Sequence, residues 1–409
     1  MPDRNEGWSG VEPVDHIALK SVCSIIPGYG PLGEEFGTLV PTDHIVAGIH
    51  PAQPRAGSPD LPVSFLADKL GIKSVATTNT TTNVARAVID KGLDWAQGAV
   101  EVPKPATNPD IVTMLTRAMD TALVRHEEVL GHRIERDRSI AGHLHFASAA
   151  DTAAPFALPV CRRDVGCHKP GLPMEFLVSG CAALLYSLRH AGFLLQHTEA
   201  RHDPDAYVII TAASDMLPFA HARSQAPTDY RADIDSWLFQ AIFGEGVGAI
   251  VVGHPGPTGH DWIVEDNQWH AVTDDWRVNL SDDDVPHVDI RARDVSTTFR
   301  RNVPDIARNG LQALGLSEFE DLHRLCIHES NPNLVSAIAG ELGVPAGIVH
   351  SISSQVGTLA GVSAFSLLDE AFQTHEQTED AHDCIACALI GENGQAVIAG
   401  HLALRHAAY

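Results

Sequence analysis

Short apolar runs of strand length alternate along this chain with longer stretches whose apolar positions recur at helical spacing. "DIVTMLTRAMDTALVRHEEVLG" (110–131) sets Met114, Ala118, Ala122 and Val129 on one helical face and closes on Gly131. "AGHLHFASAAD" reads as strand and loop, "MEFLVSG" as a short apolar strand, and "CAALLYSLRHAGFLLQ" as a largely buried helix. "AYVIITAASD" is a further buried strand, and "FGEGVGAIVVG" a glycine-rich turn feeding another. The second half repeats the theme. "IARNGLQALG" is helical, "LHRLCIHESN" is a strand ending in a polar loop, and "LVSAIAGELGV" is a helix. "GTLAGVSAFSLLDEAF" runs from a small-residue turn into a helix, and "AVIAGHLAL" closes as a strand. This alternation predicts an α/β protein with mainly parallel pairing. The polar stretch from about 255 to 290 reads as the connection between two halves, 1–254 and 255–409.

Composition narrows the function classes. With 409 residues and 44% apolar content, the chain can bury a large core. No apolar run approaches the roughly 18 residues of a membrane span, and "MPDRNEGWSG" lacks the pattern of a secretory signal. A cytoplasmic protein is expected. A net charge of −24 repels nucleic acid and anionic membrane, so neither is expected as a partner. Seven cysteines, an odd number, do not suggest a disulfide framework. Cys384 and Cys387 have C-x-x-C spacing, but there is no second such pair. In a strand they would face opposite sides, which favours two core thiols over a zinc or redox pair.

Two positions carry candidate chemistry. In "VSGCAALLYSL", Cys181 follows a strand and the small residues Ser179 and Gly180, at the start of a helix. Unpaired N–H groups and the helix dipole at such a terminus favour a thiolate and can bind an oxyanion. Cysteine is also among the most buried residue types, so on this stretch alone a core thiol and a nucleophile both stay open. In "IHESNPNL", His328 stands just past an apolar strand, placed to take or give a proton. Asn331, three residues on, is placed to donate a hydrogen bond to a carbonyl or enolate. Among 23 histidines, His143, His145 and His350 are read as structural.

Four segments, in order, make the chain similar to the thiolase superfamily, and within it to the β-ketoacyl-ACP synthase III-like branch. "SGCAALLYSL" resembles the active-cysteine segment. "FGEGVGAIVV" resembles the Phe-Gly-Asp-Gly-Ala-Gly-Ala-Val-Val signature, with Glu245 for Asp and Val247 for Ala. "IHESNPNLVSAIAGELGVP" resembles the His-Gln-Ala-Asn segment, and "GTLAGVSAFSLLDEAF" the Gly-Asn-Thr-Ser-Ala-Ala-Ser segment that ends in Leu-Asp-Glu-Ala. The resemblance implies two pseudo-duplicated halves in five-layered α-β-α-β-α packing, a homodimer, and a nucleophilic Cys181 assisted by His328. It also implies an acyl-CoA or acyl carrier protein thioester as donor substrate, with no tightly bound cofactor or metal.

Departures from the family shape the functional expectation. Counting back from Leu368-Asp369-Glu370-Ala371 puts Gly357 at the glycine and Thr358 at the family's catalytic asparagine. No asparagine lies between Val349 and Phe372. A threonine is a shorter donor than an amide for an enolate, so decarboxylative condensation is expected to suffer more than acyl transfer to Cys181. The expected activity is therefore acyl transfer to an oxygen, nitrogen or other non-malonyl small-molecule acceptor, as in secondary metabolism. The alternatives are a carbon–carbon condensing enzyme using Thr358 or Gln355, and a catalytically silent partner subunit. The C-terminal glycine turn of the family is represented by "ALIGENGQA", leaving Gly391 and Gly394 as substitutes. Arg162, Arg163 and Lys169, and Arg300 with Arg301, are read as solvated bases before they are read as contacts for phosphopantetheine or a carrier protein.

Overall fold

The computed structural model of the protein describes residues 17–42, 66–82, 108–148, 154–169, 171–178, 180–196, 200–215, 242–257, 259–273, 277–280, 286–289, 292–378, 382–392 and 397–407. Thirteen strands lie among them. β1 (Ala18–Ile25), β4 (Ile140–Ser148), β5 (Met174–Val178), β6 (Tyr207–Ser214) and β7 (Gly246–Gly253) form one half of a large sheet. β8 (Trp262–Thr273), β11 (Arg324–Ile327), β12 (Cys384–Glu392) and β13 (Val397–His406) form the other. β2 (Gly37–Pro41) pairs with β3 (Ser74–Thr78), and β9 (Arg277–Leu280) with β10 (Pro286–Asp289), in two small antiparallel sheets.

Among the described residues the two halves share a four-strand pattern, and the first carries β5 as a fifth strand at its edge. The first runs β5-β4-β6-β7-β1 and the second β11-β12-β13-β8. β4 and β6 are parallel, as are β11 and β12, while β7 and β13 run antiparallel to both of their neighbours. The halves meet where Ala18 and Leu19 of β1 pair antiparallel with Ile263 and Trp262 of β8. The mainly parallel pairing expected from the alternation is thus corrected to a mixed sheet. The last strand of each half follows its predecessor antiparallel, as β13 must after only four residues beyond Glu392. The stretch from 255 to 290 is also more than a connection, because it contains β8, the first strand of the second half. β8 escapes notice in the sequence because "EDNQWH" is polar and partly exposed, without the apolar run of its neighbours.

Three apolar clusters build five layers. Helix α1 (Pro109–Leu130) packs Met114, Ala118 and Ala122 against Val247, Ala249 and Val251 of β7. Asn108 caps its start by accepting from the Asp110 N–H, and Gly131 ends it in the left-handed region (φ 71°). His126, not Val129, completes the buried stripe. Between the half-sheets lie α3 (Ala183–Gln196) and α6 (Ser363–Glu376), whose Leu184, Leu188, Phe365 and Leu368 join Ile210 and Ile250 on one side to Leu389 and Leu402 on the other. The outer face of β12 and β13 is covered by α4 (Ala292–Ala313) and α5 (Pro332–Leu342). α2 (Ala154–Asp164) precedes β5. Strand alternation divides residues between clusters: Ile385, Cys387 and Leu389 face the central layer, while Cys384, Ala386, Ala388 and Ile390 face α4. Cys384 and Cys387 therefore lie on opposite faces. Cys387 instead stands opposite Cys326 in the β11–β12 register, in the same core cluster.

Asp369 holds α6 to the first half. Its carboxylate accepts from the Ser24 N–H (2.8 Å) and hydroxyl (3.0 Å) of β1, and pairs with Arg125 of α1 at 2.7 Å.

Candidate active site

Cys181 differs from the other six cysteines. All of those are buried, whereas Cys181 is partly exposed. Burial pushes the Cys23 thiol up to about 12 and that of Cys167 to about 11, which keeps both protonated and inert. The helix does not begin at the cysteine, as the sequence suggested. Gly180–Ala183 is a tight turn closed by the Ala183 N–H on the Gly180 carbonyl (3.0 Å), and α3 starts at Ala183. Cys181 therefore sits at a turn corner immediately ahead of the helix N-terminus. Ser179 and Gly394 lie outside the described residues.

The end of β12 brings the second half to this turn. A Cβ placed on Gly391 would lie 2.7 Å from Cys181 Cβ, 2.8 Å from Cys181 N and 3.0 Å from Ala182 N. Only a glycine lets the strand approach the cysteine so closely. Three residues earlier on the same strand, the Ala388 carbonyl accepts from the His328 N–H at 2.9 Å and holds the histidine turn. His328 is 4% exposed, and its ring packs at 5.6 Å from that of Phe299 of α4. Neither ring nitrogen has a hydrogen-bond partner of normal geometry among the described residues. Burial lowers its pKa to about 4, with the Ile390 backbone opposing, so the ring is neutral at pH 7 and has a lone pair available for a proton.

Asn331 has a structural use that the sequence reading missed. Its Oδ1 accepts from the Leu334 N–H at 2.8 Å and caps α5. Only the amide N–H groups remain to act as donors.

Thr358 is 2% exposed and tied in on all sides. Its hydroxyl donates to the Glu329 carbonyl, its N–H donates to the Ile242 carbonyl (2.8 Å), and its carbonyl accepts from the Gly244 N–H (2.9 Å). A hydroxyl has one proton, so a Thr358 engaged this way offers none to a substrate enolate. Gln355 is exposed, and its backbone carbonyl accepts from the Ser74 hydroxyl.

The glycine signature serves close backbone approach. A Cβ on Gly244 would be 2.0 Å from the Val356 carbonyl oxygen, and Gly357 takes φ 77° against the Ile242 carbonyl. Ala360, two residues past Thr358, is the one described non-glycine residue at positive φ (48°), a strained conformation at the turn that abuts Gly180.

Three buried carboxylates, Glu329, Glu245 and Asp215, have partners that the sequence did not reveal. Glu329 follows His328 directly and is fully buried. Its Oε1 accepts from the Ile352 N–H (2.9 Å), and burial raises its pKa to about 7. Glu245 accepts from the Thr78 N–H (2.5 Å) and the Thr81 hydroxyl (2.8 Å), while Asn108 donates to Asp215 at 3.1 Å beside them. The N-cap Asn108 and the Thr78-x-x-Thr81 spacing were the available signals.

His143 and His145 are buried on β4, each 2.8 Å from the Thr211 hydroxyl, and burial lowers both to about 3. They belong to the core. Arg162 is engaged with Met174 Sδ (2.7 Å) and the Lys169 carbonyl (3.2 Å), Arg163 with Asp164 (3.1 Å), and Arg300 with Glu341 (3.1 Å). Arg162 and Arg163 lie at the end of α2, not in a loop.

Two α/β half-sheets that share a four-strand pattern, a central helix layer, and a cysteine turn and a histidine turn that both meet β12 describe a thiolase fold. The chain has the fold of the β-ketoacyl-ACP synthase III-like enzymes of that superfamily. A cysteine-to-serine variant of OleA from Xanthomonas campestris, with bound lauric acid and lauroyl-CoA, superposes with a TM-score of 0.69 at 14% identity, covering 96% of this chain and 99% of OleA. The 3-oxoacyl-(acyl carrier protein) synthase III FabH from Xanthomonas oryzae gives 0.68 at 14% identity, over 95% and 98%. AbyA1, a tetronic acid condensing enzyme, gives 0.65 at 16% identity, over 95% and 99%. No protein-family model matches the chain.

Proposed function

We propose that this protein is a thioester-dependent acyl-transfer enzyme in which Cys181 carries the acyl group. The observation that carries the reading is the meeting of the partly exposed cysteine with β12, the strand whose Ala388 also holds the turn of neutral His328. In the first step the Cys181 sulfur attacks the thioester carbonyl of an acyl-CoA or acyl carrier protein. The carrier thiol leaves with the proton, and acyl-Cys181 remains. The N-terminus of α3, directly behind the cysteine turn, favours the negative charge of the developing oxyanion. In the second step His328 takes the proton of the acceptor, with the Asn331 amide as a remaining donor. The nucleophile comes from residues 1–254 and the base from 255–409, in a homodimeric cytoplasmic enzyme. No tightly bound cofactor is needed.

The commitment of the Thr358 hydroxyl to the Glu329 carbonyl supports an oxygen, nitrogen or other non-malonyl acceptor, as in secondary metabolism. A second reading, decarboxylative carbon–carbon condensation, is supported by the likeness to FabH, a 3-oxoacyl-(acyl carrier protein) synthase III, and to AbyA1, a tetronic acid condensing enzyme. Intact-mass measurement after incubation with acyl-CoAs and acyl carrier proteins tests both. An adduct lost in Cys181→Ala is expected. Failure to form one with any donor refutes the acyl-enzyme and favours a silent subunit. Release of a β-ketoacyl product and carbon dioxide on adding malonyl-ACP selects the second reading.

A further inference from the structure

We propose that His375, Asp383 and His406 form a binding site for one divalent cation of the zinc class, remote in role from the acyl-transfer chemistry. The three side chains come from three places: the last turn of α6, the residue preceding β12, and the last residue of β13. His375 Nε2 lies 3.2 Å from Asp383 Oδ1, His406 Nδ1 lies 3.7 Å from the same oxygen, and one ligand atom from each residue falls within 4.8 Å of the others. Ligand atoms of a tetrahedral zinc with bonds of about 2.0–2.1 Å stand about 3.3 Å apart, so the two contacts to Asp383 bracket the required edge. Two imidazoles and one carboxylate are a donor set suited to borderline cations of this class, with a further position left for water.

The scaffold holds these donors before any ion arrives. The His406 N–H donates to the Asp383 carbonyl at 2.8 Å, so the β12–β13 pairing fixes two of the three positions. The third is set by α6, which packs through Phe372 on Trp262 of β8 at 5.0 Å. Trp262 also lies 4.9 Å from the His375 ring and 5.0 Å from the His406 ring, and the two imidazoles are 4.5 Å apart. The histidines are largely covered, with side chains 12% and 16% exposed, while Asp383 is 46% exposed and gives an ion its route in. Nearby His323 has its Nε2 engaged with the Ala371 carbonyl (3.0 Å) and the Thr374 hydroxyl (3.1 Å), which anchors that ring to α6. A bound cation would clip the C-terminal end of α6 to the closing hairpin. It would thereby brace the helix that begins at the Thr358 turn.

The test uses the full chain without a histidine tag, stripped with chelator and titrated with Zn2+ by calorimetry and with Co2+ by visible absorption. One equivalent is expected to bind, with a tetrahedral cobalt spectrum. His375→Ala, His406→Ala and Asp383→Asn should each weaken binding by roughly 10-fold or more, since each removes one of three protein ligands. His132→Ala, at an exposed histidine elsewhere, should leave it unchanged. Co2+ should quench part of the tryptophan emission, and Trp262→Phe should lose that quenching while still binding the ion. Far-UV circular dichroism identifies any variant that fails to fold, and for such a variant Asp383→Asn and the Trp262→Phe quenching decide. Absence of stoichiometric binding overturns the proposal. So does binding that the three ligand variants leave intact, in which case the contacts are an ordinary His–Asp–His ion pair.

Discussion

Replacing Gly391 with alanine probes the close contact between β12 and the cysteine turn. The added methyl would stand 2.7 Å from Cys181 Cβ and 2.8 and 3.0 Å from two backbone nitrogens of the cysteine turn. Non-bonded carbons settle at about 3.5–4.0 Å, so about 1 Å of separation must be found. No rotamer change supplies it, because two of the three atoms are backbone and the third is a Cβ. Gly391 is itself fixed opposite Ile398 in the β12–β13 ladder. The cysteine turn must move instead. Overpacking of this kind costs about 1–3 kcal/mol in a rigid core, and a turn that yields toward the open side should cost near the lower end. A displacement of about 1 Å at a reacting group costs roughly 100-fold in rate. The expected result is therefore a small loss of thermal stability with about a 100-fold slower appearance of acyl-Cys181 by intact mass. Gly340→Ala is the control. A Cβ there meets nothing within 4 Å inside α5, so it should raise stability by about 0.5–1 kcal/mol without touching acylation. Wild-type acylation in Gly391→Ala, within about twofold, would refute the close packing of strand and nucleophile and the argument built on it.

Three further outcomes follow from burial and hydrogen bonding. Brief alkylation of the native protein with iodoacetamide should modify Cys181 alone, and peptide mapping should find the other six cysteines labelled only after denaturation. Thr358→Val should lower stability by about 1–3 kcal/mol by leaving the buried Glu329 carbonyl unpaired, and Thr358→Ser should restore most of it in a thermal-shift measurement. Glu329, raised to about 7 in the folded state from the usual 4.5, is protonated more readily in the folded chain than in the unfolded one. Its contribution is therefore full below about pH 4.5 and lost as pH rises through about 7, worth about 3 kcal/mol at most. Glu329→Gln should consequently gain stability relative to the parent at pH 8 but not at pH 4.5; equal differences at both pH values would count against this. The buried neutral His126, His323 and His328 (about 4) and His143 and His145 (about 3) act in the opposite sense. Their depressed values cost stability as pH falls below about 6.5, so acid unfolding should begin well above the carboxylate range.

What could be read from the chain was whatever local pattern dictates. Periodicity placed α1, α3, α5 and the apolar strands, because burial of one helical face or of a whole strand leaves a mark in the residue order. Alternation alone put Cys384 and Cys387 on opposite faces. The order of four segments pointed to the fold family and implied the roles proposed for Cys181 and His328. β8 stayed hidden because one face of it is polar, so no apolar run announces it.

Tertiary structure decided everything that depends on what lies across from a residue. Asn331 and Thr358 are polar residues whose use is set by one hydrogen bond each, which makes Asn331 a helix cap and commits the Thr358 proton to the Glu329 carbonyl. Gly391 is one of 33 glycines in sequence, and only the approach of β12 to the cysteine turn singles it out. Cys387 shows its neighbour Cys384 in the sequence and its packing partner Cys326 only in the sheet. His375, Asp383 and His406 have no motif spacing at all; a helix end and a hairpin bring them within reach of one ion. Sequence order records short-range periodic burial, while hydrogen-bond direction and contacts between distant segments exist only once the layers have packed.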